Sequence, residues 1–169
     1  MSITYDDFVH AAEQWRDAWL LSDAHGEWLD VQLMIEQGAT FLRIVKCESH
    51  PTVGSPEQDE DDPEAISQPV PYSTVIYDII HSPLYEVPVL YYYPTQGSFN
   101  AEIPGTSTMT DHPLTQLPVH YIHPCRAAEM MGEGDALCPA KYLLRWMGVF
   151  GVVAGLSVPM SFAQTVMIG

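Results

Sequence analysis

The chain has 169 residues, of which 47% are hydrophobic, and its formal net charge is −16 with six lysines and arginines together. This length and apolar content suffice for one hydrophobic core, so we expect a single domain over residues 1–169. A surface of this charge repels nucleic acids and anionic lipids, which disfavours both as partners and favours basic protein surfaces. Because the three cysteines, Cys47, Cys125 and Cys138, follow a start without a secretory signal pattern, we expect free thiols and a cytoplasmic location.

The N-terminal segment predicts an amphipathic helix over residues 5–21. Thr4 and Asp7 have the spacing of a capping box, which satisfies backbone amides at a helix start. Apolar residues then recur at helical spacing, so the tryptophans among them are expected in the core. These residues are Phe8, Ala12, Trp15 and Trp19.

A β-hairpin follows in the pattern of residues 31–46. Val31, Leu33 and Ile35 occupy alternate positions, as expected for a strand with one buried face. Gln37-Gly38 has the composition of a tight turn and leads into a second apolar stretch over residues 41–46. We expect both strands to be half buried.

Residues 48–71 differ in composition from the rest of the chain, since they contain five prolines and a run of six carboxylates between Glu57 and Glu64. Such a segment buries too little apolar area to offset the entropy of ordering it, which predicts a mobile acidic loop. A calcium site is the alternative. The run lacks the alternate ligand spacing and central glycine of a calcium-binding loop, so we prefer the solvated loop.

Two β-branched and aromatic stretches, residues 73–80 and 87–93, predict a second hairpin. Together the two hairpins indicate an antiparallel meander of four strands or slightly more, packed on helices from both chain ends. The predicted fold class is therefore α+β. Residues 94–116, rich in Pro, Gly, Ser and Thr, are expected to be irregular.

The C-terminal stretch from residue 146 onward contains no charged residue, and Gly151 and Gly155 have the spacing of a helix-dimerisation motif. A membrane anchor is therefore one hypothesis. Polar residues and Pro159 interrupt the apolar run, whereas Pro139 and residues 141–149 predict a helix that covers a sheet. We prefer the core helix and expect no stable membrane insertion.

Cys125 is the strongest candidate for chemistry. It follows an apolar stretch over residues 117–122 and precedes a helix-competent run over residues 126–131. This position at a helix start favours the thiolate form of the side chain. The net charge and Glu129 oppose ionisation. A buried structural thiol is one alternative.

A zinc site is a further alternative, with candidate ligands His120, His123, Cys125 and Cys138. His120 and His123 are three residues apart, so on one regular strand they point to opposite faces. We therefore disfavour a metal at this position.

The motifs around Cys125 resemble the autophagy E2-like conjugating enzymes, and the resemblance extends from about residue 72 to residue 162. It is carried by an ordered combination of short motifs and not by one tripeptide. The motifs are Val-Pro-Val-Leu-Tyr at 87–91, Asp-His-Pro-Leu at 111–114, Leu117-Pro118, His123-Pro124-Cys125, Tyr-Leu-Leu-Arg-Trp at 142–146, Gly155-Leu156 and Val158-Pro159.

This resemblance implies a variant of the ubiquitin-conjugating-enzyme fold and catalysis through a thioester on Cys125, with His123, Pro124 and His112 as supporting residues. It implies that an E1-like enzyme, autophagy-related protein 7, supplies the ubiquitin-like modifier autophagy-related protein 12. A lysine of autophagy-related protein 5 would be the acceptor. Cysteine chemistry of this kind requires no metal or small cofactor.

Two alternatives to this function stay open. One is the sister enzyme of the family, which transfers a modifier to phosphatidylethanolamine. The other is a catalytically silent module of the same fold that binds a partner by adding a strand at a sheet edge. The segment between Tyr92 and Thr110 is shorter than in the family, which favours the silent module, whereas Cys125 in its motif favours the enzyme.

Overall fold

A computed structural model describes residues 2–22, 26, 28–49, 72–95, 107–132 and 138–168. Within these residues six strands form one antiparallel sheet in the order β1-β2-β3-β4-β6-β5. The antiparallel α+β prediction is confirmed. The strands are β1 (Trp28–Glu36), β2 (Ala39–Ser49), β3 (Tyr72–Ser82), β4 (Val87–Pro94), β5 (Ser107–Asp111) and β6 (Pro118–Ile122).

Helices from both ends of the chain pack on one face of this sheet. The N-terminal helix is α1 (Tyr5–Leu21), and a 3-10 turn (Pro124–Arg126) leads directly into α2 (Ala127–Met131) after the last strand. The C-terminal part contains α3 (Pro139–Trp146), a π turn (Met147–Gly151), a 3-10 turn (Val152–Ala154) and α4 (Met160–Ile168).

The predicted start of α1 is confirmed. The Thr4 hydroxyl oxygen accepts a hydrogen bond from the Asp7 amide at 3.1 Å and donates to the Asp7 carboxylate at 2.7 Å. This pair satisfies a helix-start amide that has no partner within the helix. The apolar face that follows is buried, with Trp15 at 0% and Trp19 at 3% exposure, as expected for core residues.

The main core lies between the sheet and the helices and contains an aromatic cluster. The rings of Trp15 and Phe162 meet edge to face with centroids 5.1 Å apart, and Trp28 lies 5.4 Å from Phe162. Each of these three side chains is at most 1% exposed. Burial of such rings is the main source of stability in a domain of this size.

Two strand predictions need correction. Glu48 and Ser49 belong to β2, because they pair with Ser73 and Tyr72 of β3 and thereby gain ladder hydrogen bonds. The acidic loop predicted for residues 48–71 is therefore wrong at Glu48 and Ser49, and residues 50–71 lie outside the described part. Residues 107–111, predicted as irregular, form β5 because every one of them pairs with β6.

The spacing of Gly151 and Gly155 has an explanation within the chain. A Cβ on Gly151 would lie 2.7 Å from the Leu156 carbonyl oxygen, and Gly155 has φ 77°, a left-handed conformation that favours glycine. The Lys46 ammonium and the Tyr77 hydroxyl donate to the Gly155 and Ala154 carbonyls at 2.7 and 3.0 Å. These bonds connect the turn to β2 and β3. The membrane-anchor hypothesis finds no support in the helices, since none in the described residues is long and apolar enough to cross a membrane.

Candidate functional site around Cys125

The Cys125 thiol is exposed, whereas the backbone on both sides of it is anchored. It lies in the 3-10 turn that follows β6, between the buried Pro124 and Ala127, the latter 1% exposed. Farther along, Met131 is fully buried and fixes the end of α2. The alternative of a buried structural thiol is therefore wrong, and the turn presents an exposed thiol on an anchored backbone.

His123 caps the turn that carries this thiol. The Cys125 amide donates to Nδ1 of His123 at 3.1 Å. Because Nδ1 accepts this bond, the neutral imidazole carries its proton on Nε2, an assignment made from the hydrogen-bond pattern. While it accepts this bond, Nδ1 has no lone pair left to remove a proton from a substrate, and the bond places His123 at the start of the turn.

Two tyrosine rings contact the imidazole of His123. Tyr85, in the turn between β3 and β4, meets it edge to face with centroids 6.1 Å apart. Tyr121, on β6, lies at 5.8 Å. Aromatic pairs at these separations favour defined mutual orientations, so the two rings restrict the plane of the capping imidazole.

His112 lies at the opposite end of β6 from Cys125, and the five residues of that strand span about 17 Å. It is fully buried, and its Nδ1 accepts from the amides of Leu114 at 3.3 Å and Thr115 at 3.1 Å. The structure thus brings His123 and Pro124 to the thiol and does not bring His112 there. His112 instead holds the turn over residues 112–117 between β5 and β6.

An ion pair that sequence analysis missed lies beside His112. Arg43 donates to both carboxylate oxygens of Asp78, at 2.7 and 2.8 Å, and Asp78 is fully buried. The paired hydrogen bonds raise the pKa of Arg43 above its usual value. Nε2 of His112 faces the same carboxylate at 3.3 Å. The sequence signal for this pair was one opposite charge in each of two predicted strands. The sequence did not give the register that places Arg43 opposite Asp78.

The residues considered for a zinc site are spread over different environments. His120 stacks on Tyr92, with ring centroids 5.4 Å apart, on the face of the sheet that the helices cover. His123 and Cys138 are exposed. In the part of the chain that the structure describes, no three His, Cys, Asp or Glu side chains are grouped closely enough to hold a metal ion.

Comparison with known proteins shows the family to which the chain belongs. The family model described as "Autophagocytosis associated protein, active-site domain" matches residues 5–161. Human ubiquitin-like-conjugating enzyme ATG10 is 23% identical to the chain over 197 aligned residues, which cover 94% of this chain and 88% of that protein. The chain therefore belongs to the autophagocytosis-associated active-site-domain family. This membership confirms the resemblance to the autophagy E2-like enzymes that the ordered combination of motifs carries.

Proposed function

We propose that the protein is an E2-like transferase that accepts a ubiquitin-like modifier from an E1-like enzyme on Cys125 and passes it to an amine. The observation that carries the proposal is the exposed Cys125 thiol on an anchored turn, within a chain of this family. An acyl carrier needs a nucleophile that a large partner can reach, and exposure supplies that access.

The chemistry takes two acyl transfers. In the first, the Cys125 thiolate attacks the carbonyl carbon of the thioester between modifier and E1-like enzyme, a new carbon–sulfur bond forms, and the E1 thiolate leaves. In the second, an amine nitrogen attacks the Cys125 thioester, the Cys125 thiolate leaves, and the surplus amine proton passes to solvent. Each step breaks an activated bond, which divides one difficult amide synthesis into two easier steps.

For the partners, we propose autophagy-related protein 7 as the E1-like enzyme, autophagy-related protein 12 as the modifier and a lysine of autophagy-related protein 5 as the acceptor. Support comes from the similarity to a protein named ubiquitin-like-conjugating enzyme ATG10 and from the motif pattern around His123-Pro124-Cys125. The net charge of −16 favours basic surfaces on these partners. The same charge disfavours an anionic lipid surface as the place of transfer.

The test is a charging reaction with the E1-like enzyme, ATP and modifier, followed by a gel without reducing agent. We expect an adduct that disappears with added thiol and is absent from Cys125→Ala. Cys47→Ala and Cys138→Ala are matched controls, because they remove the two other free thiols, and both are expected to form the adduct. Wild-type protein without any adduct would refute the transferase and leave the silent binding module.

A second variant distinguishes a thioester from other adducts. In Cys125→Ser the carrier atom becomes oxygen, and we expect a slower-forming adduct that persists when thiol is added, because an oxygen ester resists thiols. Discharge of the wild-type thioester with the acceptor protein and, separately, with phosphatidylethanolamine vesicles then decides the acceptor. Transfer to the lipid alone would replace the protein acceptor proposed here with that of the sister enzyme.

A further inference from the structure

A row of directly paired residues crosses four strands on the face of the sheet away from the helices. Arg43 pairs with Asp78, Asp78 with Tyr91, and Tyr91 with Tyr121, along β2, β3, β4 and β6. Successive side chains along each strand alternate between faces, so four residues in mutual register share one face. The row ends one residue before the end of the strand that leads to Cys125.

From Tyr91 onward, the side chains of this row contact one another and lead to the backbone of Cys125. The rings of Tyr91 and Tyr121 stack with centroids 6.0 Å apart, and Tyr121 contacts His123 at 5.8 Å. His123 accepts the Cys125 amide. A displacement of the Tyr121 ring therefore reaches the Cys125 amide through one intervening residue, His123.

The other end of the row is fixed by charge. Asp78 takes two hydrogen bonds from Arg43, and its Oδ2 faces His112, whose ring meets the edge of Tyr91 at 5.5 Å. A fully buried carboxylate held in this way has one geometry, because moving it would separate it from its countercharge. Asp78 is thus a fixed reference point for the rings that follow.

The row also crosses the weakest junction of the sheet. Among the described residues β4 and β6 share two residue pairs, Tyr91 with Tyr121 and Tyr92 with His120, whereas β3 and β4 share eight. Few ladder bonds therefore set the position of β6 relative to the rest of the sheet. Side-chain stacking across the junction adds a cross-strand interaction where the backbone provides few.

We propose that Tyr121 is a positioning residue for the Cys125 thiol: it holds the His123 imidazole against the Cys125 amide, and Asp78 fixes the far end of the row through His112 and Tyr91. The proposal rests on the transferase function above. Tyr121 does not itself touch a substrate in this role, and its effect on transfer passes through the cap.

The direct test is spectroscopic and needs no activity. In wild type at about pH 8, we expect ring ¹⁵N shifts of His123 that show an unprotonated Nδ1 and a protonated Nε2. In Tyr121→Ala we expect averaged shifts from two tautomers and about tenfold faster hydrogen exchange at the Cys125 amide. Tyr121→Phe retains the ring and should restore the wild-type values. Unchanged shifts and exchange in Tyr121→Ala would overturn the proposal.

Transfer rates provide the functional arm. At saturating donor we expect thioester formation to fall about tenfold in Tyr121→Ala with KM unchanged, and to recover in Tyr121→Phe. Both changes remove the contact between Tyr121 and His123. The double variant Tyr121→Ala/His123→Ala should therefore form the thioester no more slowly than His123→Ala alone. If the rate losses of the two single variants multiply in the double variant, Tyr121 does not act through His123. Tyr93→Ala is the matched control, since it removes the same ring two residues from Tyr91 on the same strand, and should leave the His123 shifts unchanged.

Two further variants keep the test decisive. If Tyr121→Ala does not fold, Tyr121→Leu retains most of the volume without an aromatic ring and should show the same averaged shifts. Asp78→Asn tests the far end of the row. We expect faster hydrogen exchange at the Cys125 amide, and unchanged exchange would refute the role of Asp78 in positioning the rings. A wild-type protein that forms no thioester would refute the proposed function, whereas the spectroscopic arm would still decide the positioning role.

Discussion

Two neighbouring rows of side chains cross the same strands on opposite faces of the sheet, and they are built differently. The row on the helix-covered face is Ile44, Tyr77, Tyr92 and His120, and the row on the other face is Arg43, Asp78, Tyr91 and Tyr121. The first is enclosed by the aromatic core, and burial raises the pKa of Tyr77 and of Tyr92. The second contains a charged pair.

The two faces differ in the interactions that hold their side chains, which are apolar contacts on the helix-covered face and charged hydrogen bonds on the other. Burial of apolar area is non-directional, so the helix-covered face contributes mainly stability and tolerates substitutions that conserve side-chain volume. Hydrogen bonds between charged groups depend on distance and angle, so the other face fixes geometry. Cys125 follows β6, the strand that pairs with β4 at two positions, and under the proposed transferase function the position of that strand sets the position of the thiol.

The largest effect is expected in the aromatic core. Phe162→Ala removes a fully buried ring between Trp15 and Trp28, and we expect the free energy of unfolding to fall by about 3–5 kcal/mol. Urea-induced unfolding measures this loss. Met160→Ala, on the same helix at 75% exposure, is the control and should change stability by less than about 0.5 kcal/mol. A loss from Phe162→Ala no larger than that of the control would show that this face does not dominate stability.

A second, smaller effect is expected where the C-terminal turn meets the helix-covered face. Gly155→Ala keeps ordinary van der Waals distances, with the nearest atom, Glu48 Oε1, at 3.5 Å, but it places a side chain at φ 77°. We expect a loss of about 1–2 kcal/mol from the backbone conformation. Gly148→Ala is the matched control: it meets nothing within 4 Å and should stabilise the helical turn by about 0.5–1 kcal/mol. Equal effects at the two glycines would contradict a conformational cause.

Sequence alone was sufficient where the signal is local. The Thr4 and Asp7 spacing predicted the start of α1, and alternation with a tight-turn composition predicted β1 and β2. β-Branched and aromatic stretches predicted β3 and β4, and the residues around Cys125 predicted its place between a strand and a helix. β5 was missed because Ser107–Asp111 is polar, and its strand conformation comes from pairing with β6, which is a tertiary interaction. The row from Arg43 to Tyr121 was missed for a related reason. Register between β2 and β3 depends on pairing across residues 50–71, which no local pattern specifies.

The ionisation of the helix-covered face provides a third comparison. Burial raises the pKa of Tyr142 to about 12, and its side chain is 3% exposed. The folded state thus favours the neutral phenol, and this stabilisation is complete below the unfolded pKa of 10.0 and is lost as the pH rises towards 12. Tyr142→Phe removes this titration, so its stability should decline less over that interval.

Urea unfolding at several pH values measures this difference. Between about pH 7 and about pH 9 the gap between wild type and Tyr142→Phe should stay constant, because the phenol is neutral in both the folded and the unfolded state. Above pH 10.0 the gap should change in favour of the variant. Parallel curves across the whole range would mean that the neutral phenol on this face is not what limits alkaline stability.

The smallest effect is expected on the opposite face, at Gln37. Its side-chain amide, in the exposed turn between β1 and β2, donates to the Leu114 carbonyl in the turn that His112 holds. Gln37→Ala removes one exposed hydrogen bond, so we expect a stability loss of at most about 1 kcal/mol. Hydrogen exchange should nevertheless increase at residues 114–116 and stay unchanged in β2. Faster exchange in β2 as well would mean that this turn supports the whole sheet, and the division between a stabilising face and a positioning face would fail.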